Sequence, residues 1–427
     1  MLVNGLTTVF ELKNIAIPPG VRGFDTDSVR FDIQMENGLL SFVERAQPAP
    51  FSIAAKNPGG MLIPALADIH VHLDKSYVVQ EVGAANGDLF KAIALMAEHR
   101  AGWSGANIQQ RMARAIEEAY RSGTRAMRTH LDWPEALAPR SLAEFEKLRD
   151  AWRGRVALQC VSLTPLDDFS ATGTGGDDTG ELIAMQLAQV NQRCDAQHGE
   201  AALLGAFVYR NDNIHQKLQR VFELAAKYKL NLDFHVDEGL DADACGLRAI
   251  AELAIQNAFQ GTITCGHTCS LSMQSRAEAE QTLSLCAKVG IHLVALPSTN
   301  LYLQGAWDQT PLERGITRLK EAAALNVSTS IATDNVADGF FPYGSYDLLE
   351  TFALGVQVGH LSPADAWLPA VSCRPALAMG LPWGGKIAVG CPADFILLEA
   401  RDAYELITTA GRKRRIIRHG AFLETTA

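Results

Sequence analysis

Apolar residues along this chain gather into eight compact runs, at roughly 61–72, 125–132, 156–163, 203–210, 229–238, 262–268, 291–298 and 327–334. Short, continuous runs of this kind fit strands buried on both faces of a parallel sheet. Between most of them the apolar positions take helical spacing, as from Ile108 to Tyr120, Gln216 to Tyr228, Gly246 to Ala258 and Met273 to Val289. Strand and helix alternating about eight times predict an α/β fold, a (β/α)8 TIM barrel. A doubly wound open sheet competes with it, but no Gly-x-Gly-x-x-Gly follows a strand.

Both ends depart from that rhythm. Residues 1–60 show short alternating stretches such as Val29-Arg30-Phe31-Asp32-Ile33, broken by Pro18, Pro19, Gly20 and Gly60. Residues 385–427 open with Gly385-Lys386-Ile387-Ala388-Val389-Gly390-Cys391-Pro392-Ala393-Asp394 and continue as basic, strand-like segments. The predicted organisation is a barrel at 61–384 and a small β-sandwich domain built from 1–60 and 385–427. Residues 168–180 form a polar, glycine-rich loop expected to be mobile.

The 427 residues are 48% hydrophobic and 20% charged, enough for one barrel-sized domain and a smaller one. A net charge of −10 argues against nucleic acid or an anionic membrane as partner, since both reward a basic face. No apolar run reaches the length of a membrane span, and no secretory signal is visible at the N-terminus. Eight cysteines without a framework spacing suit reduced thiols in a cytoplasm.

Chemistry concentrates at the C-terminal ends of the predicted strands, where barrels of this type carry their active sites. In Asp68-Ile69-His70-Val71-His72, residues two apart share a face, so His70 and His72 form a pincer for a metal. Other strand ends supply His130 and Asp132, then His235, Asp237 and Glu238, then His267, Asn300, and finally Asp334-Asn335. Five of the eleven histidines fall at these ends. A catalytic metal wants three or four protein ligands and an open position for water. His70, His72 and His235 offer neutral nitrogen and Asp334 a hard oxygen, a set suited to one divalent ion, zinc or iron. Glu238 lies close enough to shuttle a proton, and His267 can hold the attacking water or polarise the bond under attack. His130 is expected to line the pocket without touching the metal, Arg128 to be a buried ion-pair partner, and His292 to be structural. Cys265 and Cys269 flank His267, but their spacing does not match a structural zinc site.

Together these motifs resemble the amidohydrolase superfamily, and within it the cytosine deaminase branch. The resemblance rests on His70-Val71-His72-Leu73-Asp74, Arg128-Thr129-His130-Leu131-Asp132, His235-Val236-Asp237-Glu238, Gly266-His267-Thr268 and Thr333-Asp334-Asn335. Asn300-Leu301-Tyr302-Leu303-Gln304-Gly305, Phe341-Pro342-Tyr343-Gly344 and the 385–394 segment add to it. It implies His70, His72, His235 and Asp334 as ligands of a single metal, Glu238 as proton shuttle, and His267 with Asp334 as partners of the hydrolytic water. The run Leu204 to Arg210 holds no lysine to bridge a second metal. Pro165 stands where cytosine deaminases of this branch carry a glutamine, and Asp334-Asn335 replaces two consecutive aspartates. Asp-Asn, with His72-Leu73-Asp74-Lys75-Ser76, is similar to the isopropylammelide amidohydrolases, so the substrate-facing set is read as Asn335, Pro165, His130 and Asp132.

The expected activity is hydrolytic removal of an exocyclic amine from a small nitrogen heterocycle, with water as co-substrate, in a homo-oligomer. Release of an alkylamine from a triazine-like ring, or opening of a cyclic amide, is the alternative chemistry. A non-catalytic metal-binding protein would lack a ligand or the proton shuttle, and none is missing.

Overall fold

A computed structural model describes residues 9–47, 60–133, 138–170, 178–409 and 414–424. The chain divides into two compact units, one of residues 1–67, 119–125 and 347–427, the other of 68–118 and 126–346. Residues 171–177 of the glycine-rich loop lie outside the described residues.

The second unit is a mixed α/β structure on parallel strands. We number these β1 (Leu66–Val71), β2 (Thr124–Asp132), β3 (Ala157–Leu163), β4 (Ala201–Leu203), β5 (Phe207–Val208), β6 (Leu232–Val236), β7 (Ile263–His267), β8 (His292–Ala295) and β9 (Thr329–Ile331). They form a four-stranded sheet in the order β1-β2-β3-β4 and a five-stranded sheet in the order β9-β8-β7-β6-β5. Isolated parallel bridges at Val71–Asp334 and Leu204–Leu232 link the sheet edges. The core strands β6, β7 and β8 are buried at every position, as the continuous apolar runs require.

The register sets which side chains meet. Along β6 and β7, His235 pairs with Gly266 and Val236 with His267, so the two histidines sit one step apart in height. The run at 203–210 is not one strand. It splits into β4 and β5 around Gly205, where a Cβ would stand 2.6 Å from the Ser162 carbonyl oxygen, so only glycine lets these backbones approach so closely. The run at 291–298 stops at Ala295, because Pro297 opens the short helix Pro297–Leu303. Asn300 is therefore helical rather than part of a loop. Other helices begin where the sequence offers a cap: Asp88 accepts from the Lys91 amide ahead of Leu89–Arg100, and Ser275 with Glu278 forms a capping box.

In the first unit, strands from both ends of the chain form one seven-stranded sheet. Its order is 421–422, 414–418, 395–398, 61–64, 10–16, 30–36 and 39–45. Residues 119–125 and 347–384, beyond the boundaries read at 60 and 385, group with this sheet. Packing explains part of this. Gly20 backs onto Pro369 with only 3.0 Å for a Cβ, and Arg414 pairs with Asp347.

Candidate active site

The ends of β1, β2, β6 and β7 bring five imidazoles into one cluster. His70 stands 4.0 Å from His130, 4.5 Å from His235, 5.2 Å from His267 and 5.5 Å from His72, centroid to centroid. Strand alternation explains the first pair, since Asp68, His70 and His72 share one face of β1 and its continuation. Asp68 fixes that strand end by accepting hydrogen bonds from the Thr333 amide (3.1 Å) and hydroxyl (2.6 Å). The bond holds Thr333, and Asp334 after it, beside the histidines.

Four donor atoms converge. The Nε2 atoms of His70 and His235 are 3.2 Å apart, and those of His235 and His72 are 3.3 Å apart. Asp334 Oδ1 lies 3.6 Å from His70 Nε2 and 3.2 Å from His72 Nε2. A tetrahedral ion with ligand bonds of about 2.0–2.2 Å needs donor separations of about 3.4 Å. These distances bracket that value, so the donor set fits one metal ion. The backbone carbonyl of His130 lies 3.3 Å from His72 Nδ1, which orients that ring with Nε2 toward the shared centre. Two groups of suitable size, the three histidines His70-His130-His235 and the histidine-carboxylate set His70-His267-Asp334, overlap this set.

The remaining predicted residues separate. Glu238 and His267 face a cavity of about 560 Å³ together with His72, His235, Asn335 and Pro165. Glu238 Oε1 is 3.4 Å from His267 Nδ1, and Asn300 Nδ2 is 3.1 Å from that same nitrogen. His267 Nε2 is buried without a hydrogen-bond partner among the described residues, leaving it for a ligand. Asn335 donates to Asp338 Oδ2 at 2.7 Å, and Asp338 in turn accepts from the Phe340 and Phe341 amides. Asp132 reaches the cavity wall already paired, with Lys75 at 3.0 Å and Arg100 at 2.6 Å. His130, read as a pocket residue, does not reach the wall. Like His70, 4.0 Å from it, it is wholly buried and absent from the residues that line the cavity. Asp237 caps the helix Gly246–Gln256 through the Gly246 and Leu247 amides. Arg128 pairs with Asp233 at 2.7 Å, and His292 bonds to Ser328 and Ser330 away from the site.

Several contributors carry weaker sequence signals. Asp68 falls on the His70 face by simple alternation. Trp133, buried on the cavity wall with Nε1 unpartnered among the described residues, follows directly on the β2 motif. The helix Leu89–Arg100 and Tyr209 supply the apolar wall, and nothing local ties either to the histidines.

The chain is 36% identical to the pterin deaminase of Rhizobium rhizogenes over 427 aligned positions, covering 97% of this chain and 94% of that protein. The chain belongs to the amidohydrolase family. The amidohydrolase family model itself matches residues 207–418. An N-isopropylammelide isopropyl amidohydrolase from Pseudomonas is 20% identical across 86% of each chain. Among solved structures, the 5-methylcytosine deaminase of Klebsiella pneumoniae liganded with 5-fluorocytosine superposes with a TM-score of 0.80 at 22% identity, covering 98% of both chains. That likeness establishes the shared fold.

Electrostatics in this amidohydrolase favour neutral nitrogen donors. Burial, reinforced by the neighbouring imidazoles, pushes His70 and His235 well below the usual histidine range. Burial likewise lowers His267 to about 4, although the Asp334 carboxylate opposes it. For Asp334 burial pulls upward, but His72 and His267 outweigh it and hold the carboxylate low. Glu238 goes the other way. Burial first, and the Asp334 charge second, raise it well above the carboxylate range, which favours its protonated form.

Proposed function

We propose that this amidohydrolase is a metal-dependent hydrolytic deaminase that removes an exocyclic amine from a nitrogen heterocycle. A pterin-like fused ring is the first candidate substrate, in place of a single cytosine-like ring. The observation that carries the reading is the meeting of three histidine Nε2 atoms and the Asp334 carboxylate beside the buried Glu238. The 36% identity to a pterin deaminase, across nearly the whole of both chains, supports the reaction class. The bridges at Val71–Asp334 and Leu204–Leu232 support closure of the two parallel sheets into a (β/α)8 barrel, with the terminal sheet as a separate small domain.

His70, His72, His235 and Asp334 would hold one divalent ion, zinc or iron. Such an ion supplies Lewis acidity and makes water a competent nucleophile at neutral pH. The chain's own groups do the rest. His70 and His235, held neutral by burial, are ready to ligate with no proton to lose. His267, held at Nδ1 by Asn300, aims its Nε2 into the cavity, where it steadies the attacking oxygen. Glu238 delivers its proton to the ring nitrogen next to the carbon under attack, then recovers the proton released by the incoming water. A second transfer from Glu238 protonates the exocyclic nitrogen. The carbon–nitrogen bond breaks, ammonia leaves, the remaining hydroxyl proton returns to Glu238, and the ring keeps a carbonyl oxygen. Asn335, tethered by Asp338, contacts the ring's hydrogen-bonding edge.

The test is ammonia release from a panel of pterins, pyrimidines, purines and aminotriazines by protein reconstituted with zinc or ferrous ion. Ammonia with replacement of an amino group by oxygen in the product is expected from at least one fused ring. Alkylamine as the sole product, ring opening without ammonia, or no turnover of any ring would reject the reading.

A further inference from the structure

One wall of the cavity is built for more than a bare ring. The helix Leu89–Arg100 turns Leu89, Phe90, Ile93 and Met96 toward the cavity, an apolar stripe at helical spacing. Phe90 and Ile93 stay 46% and 38% exposed, so this is apolar surface kept open rather than packed away. Beside it, the Tyr209 ring lies within 12° of parallel to Phe90, with centroids 6.3 Å apart. Aromatic faces of this kind favour a flat apolar group.

Each cation on the same wall is already committed to a carboxylate. Arg210 makes two bonds to Asp241, at 2.7 and 3.0 Å, and Tyr209 donates its hydroxyl to the same carboxylate at 2.6 Å. Lys75 and Arg100 share Asp132, and Asp74 and Asp338 also face Lys75. Asp167, paired with Lys217, lines the wall as well, and the chain as a whole carries a charge of −10. An anion entering here would meet ion pairs already closed and a repulsive long-range field.

Resting on the deaminase reading above, we propose that this wall is a subsite for an uncharged, flat apolar substituent on the heterocycle. It disfavours rings carrying carboxylate or phosphate at that position. The ring to be deaminated sits at the histidines, and its substituent extends along Phe90 and Tyr209.

The experiment is calorimetric binding to the zinc-reconstituted protein of three probes: bare pterin, a pterin with a phenyl group on the pyrazine ring, and one with a carboxylate there. Ammonia release is followed in parallel. The phenyl compound is expected to bind about tenfold more tightly than the carboxylate, and Phe90→Ala to cut the phenyl-to-bare affinity ratio about tenfold. Equal or tighter binding of the carboxylate, or an affinity ratio unmoved by Phe90→Ala, would overturn the subsite. The readouts separate the two claims. The expected binding order without turnover of any ring upholds the subsite and removes the deaminase reading. Turnover with the binding order reversed does the opposite.

Discussion

Replacing Gly266 by alanine tests the placement of His70 more sharply than removing His70 itself. Gly266 sits on β7 opposite His235, and a Cβ there would stand 2.7 Å from Cε1 and 2.8 Å from Nδ1 of His70. Carbon atoms do not approach that closely without something moving. The His70 ring is closely packed, with the His130 and His235 rings 4.0 and 4.5 Å away. Restoring a normal contact moves the ring by more than half an ångström, well beyond the roughly 0.2 Å that metal–ligand distances tolerate. We expect an overpacking cost of about 1–3 kcal/mol and a loss of metal affinity on the order of 10–100-fold. Equilibrium dialysis against graded chelators, with metal analysis of the retentate, reads the affinity, and urea unfolding of the metal-free protein reads the packing cost. Gly102→Ala is the control, because its nearest neighbour would be 3.6 Å away, an ordinary contact. Wild-type metal affinity in Gly266→Ala would refute the reasoning, since His70 would then not be a ligand in the position described.

Asp68→Ala removes the clamp between β1 and the Asp334 segment, and Thr333→Val removes its hydroxyl half. Each should cost about 1–3 kcal/mol, and the double variant should cost clearly less than the sum. Additive losses in denaturant unfolding would show that the two do not act together. Asp237, raised by burial to about 6 despite its two amide partners, binds a proton more readily in the folded state than in the unfolded one. Its contribution is therefore most favourable below the unfolded value and is lost as pH rises through about 6. Relative to Asp237→Asn, wild type should lose on the order of 3 kcal/mol between about pH 4 and pH 7, and a flat difference would rule this out. Asp338→Ala frees the Asn335 amide, so KM should rise severalfold with metal content unchanged. An unchanged KM would mean that Asn335 does not contact substrate.

Local periodicity made much of the site legible. Alternation alone puts Asp68, His70 and His72 on one face, and the ends of the apolar runs point to His235, Glu238, His267 and Asp334. Long-range geometry was not legible. His130 and His70 are both buried out of the cavity wall, while His72, His235 and His267 reach it, and only the packing of neighbouring strands decides that. The break at Gly205 depends on how closely Ser162 approaches from another strand. Phe90 and Tyr209 lie far apart in sequence, and neither carries a motif that announces a shared cavity. Asp132, read as substrate-facing, meets the cavity with Lys75 and Arg100 on its two oxygens, partners that no local motif announces. The grouping of 347–384 with the terminal strands likewise rests on contacts such as Gly20 against Pro369.

The central claim is that Glu238 moves the proton beside a site that holds one metal ion. Glu238→Gln keeps the size of the side chain and removes the transferable proton. Metal content and ammonia release should be measured together, on the heterocycle that the wild type turns over fastest. We predict wild-type metal stoichiometry with kcat lowered about 10²–10⁴-fold. Turnover at the wild-type rate, or loss of the metal along with the activity, would contradict the account.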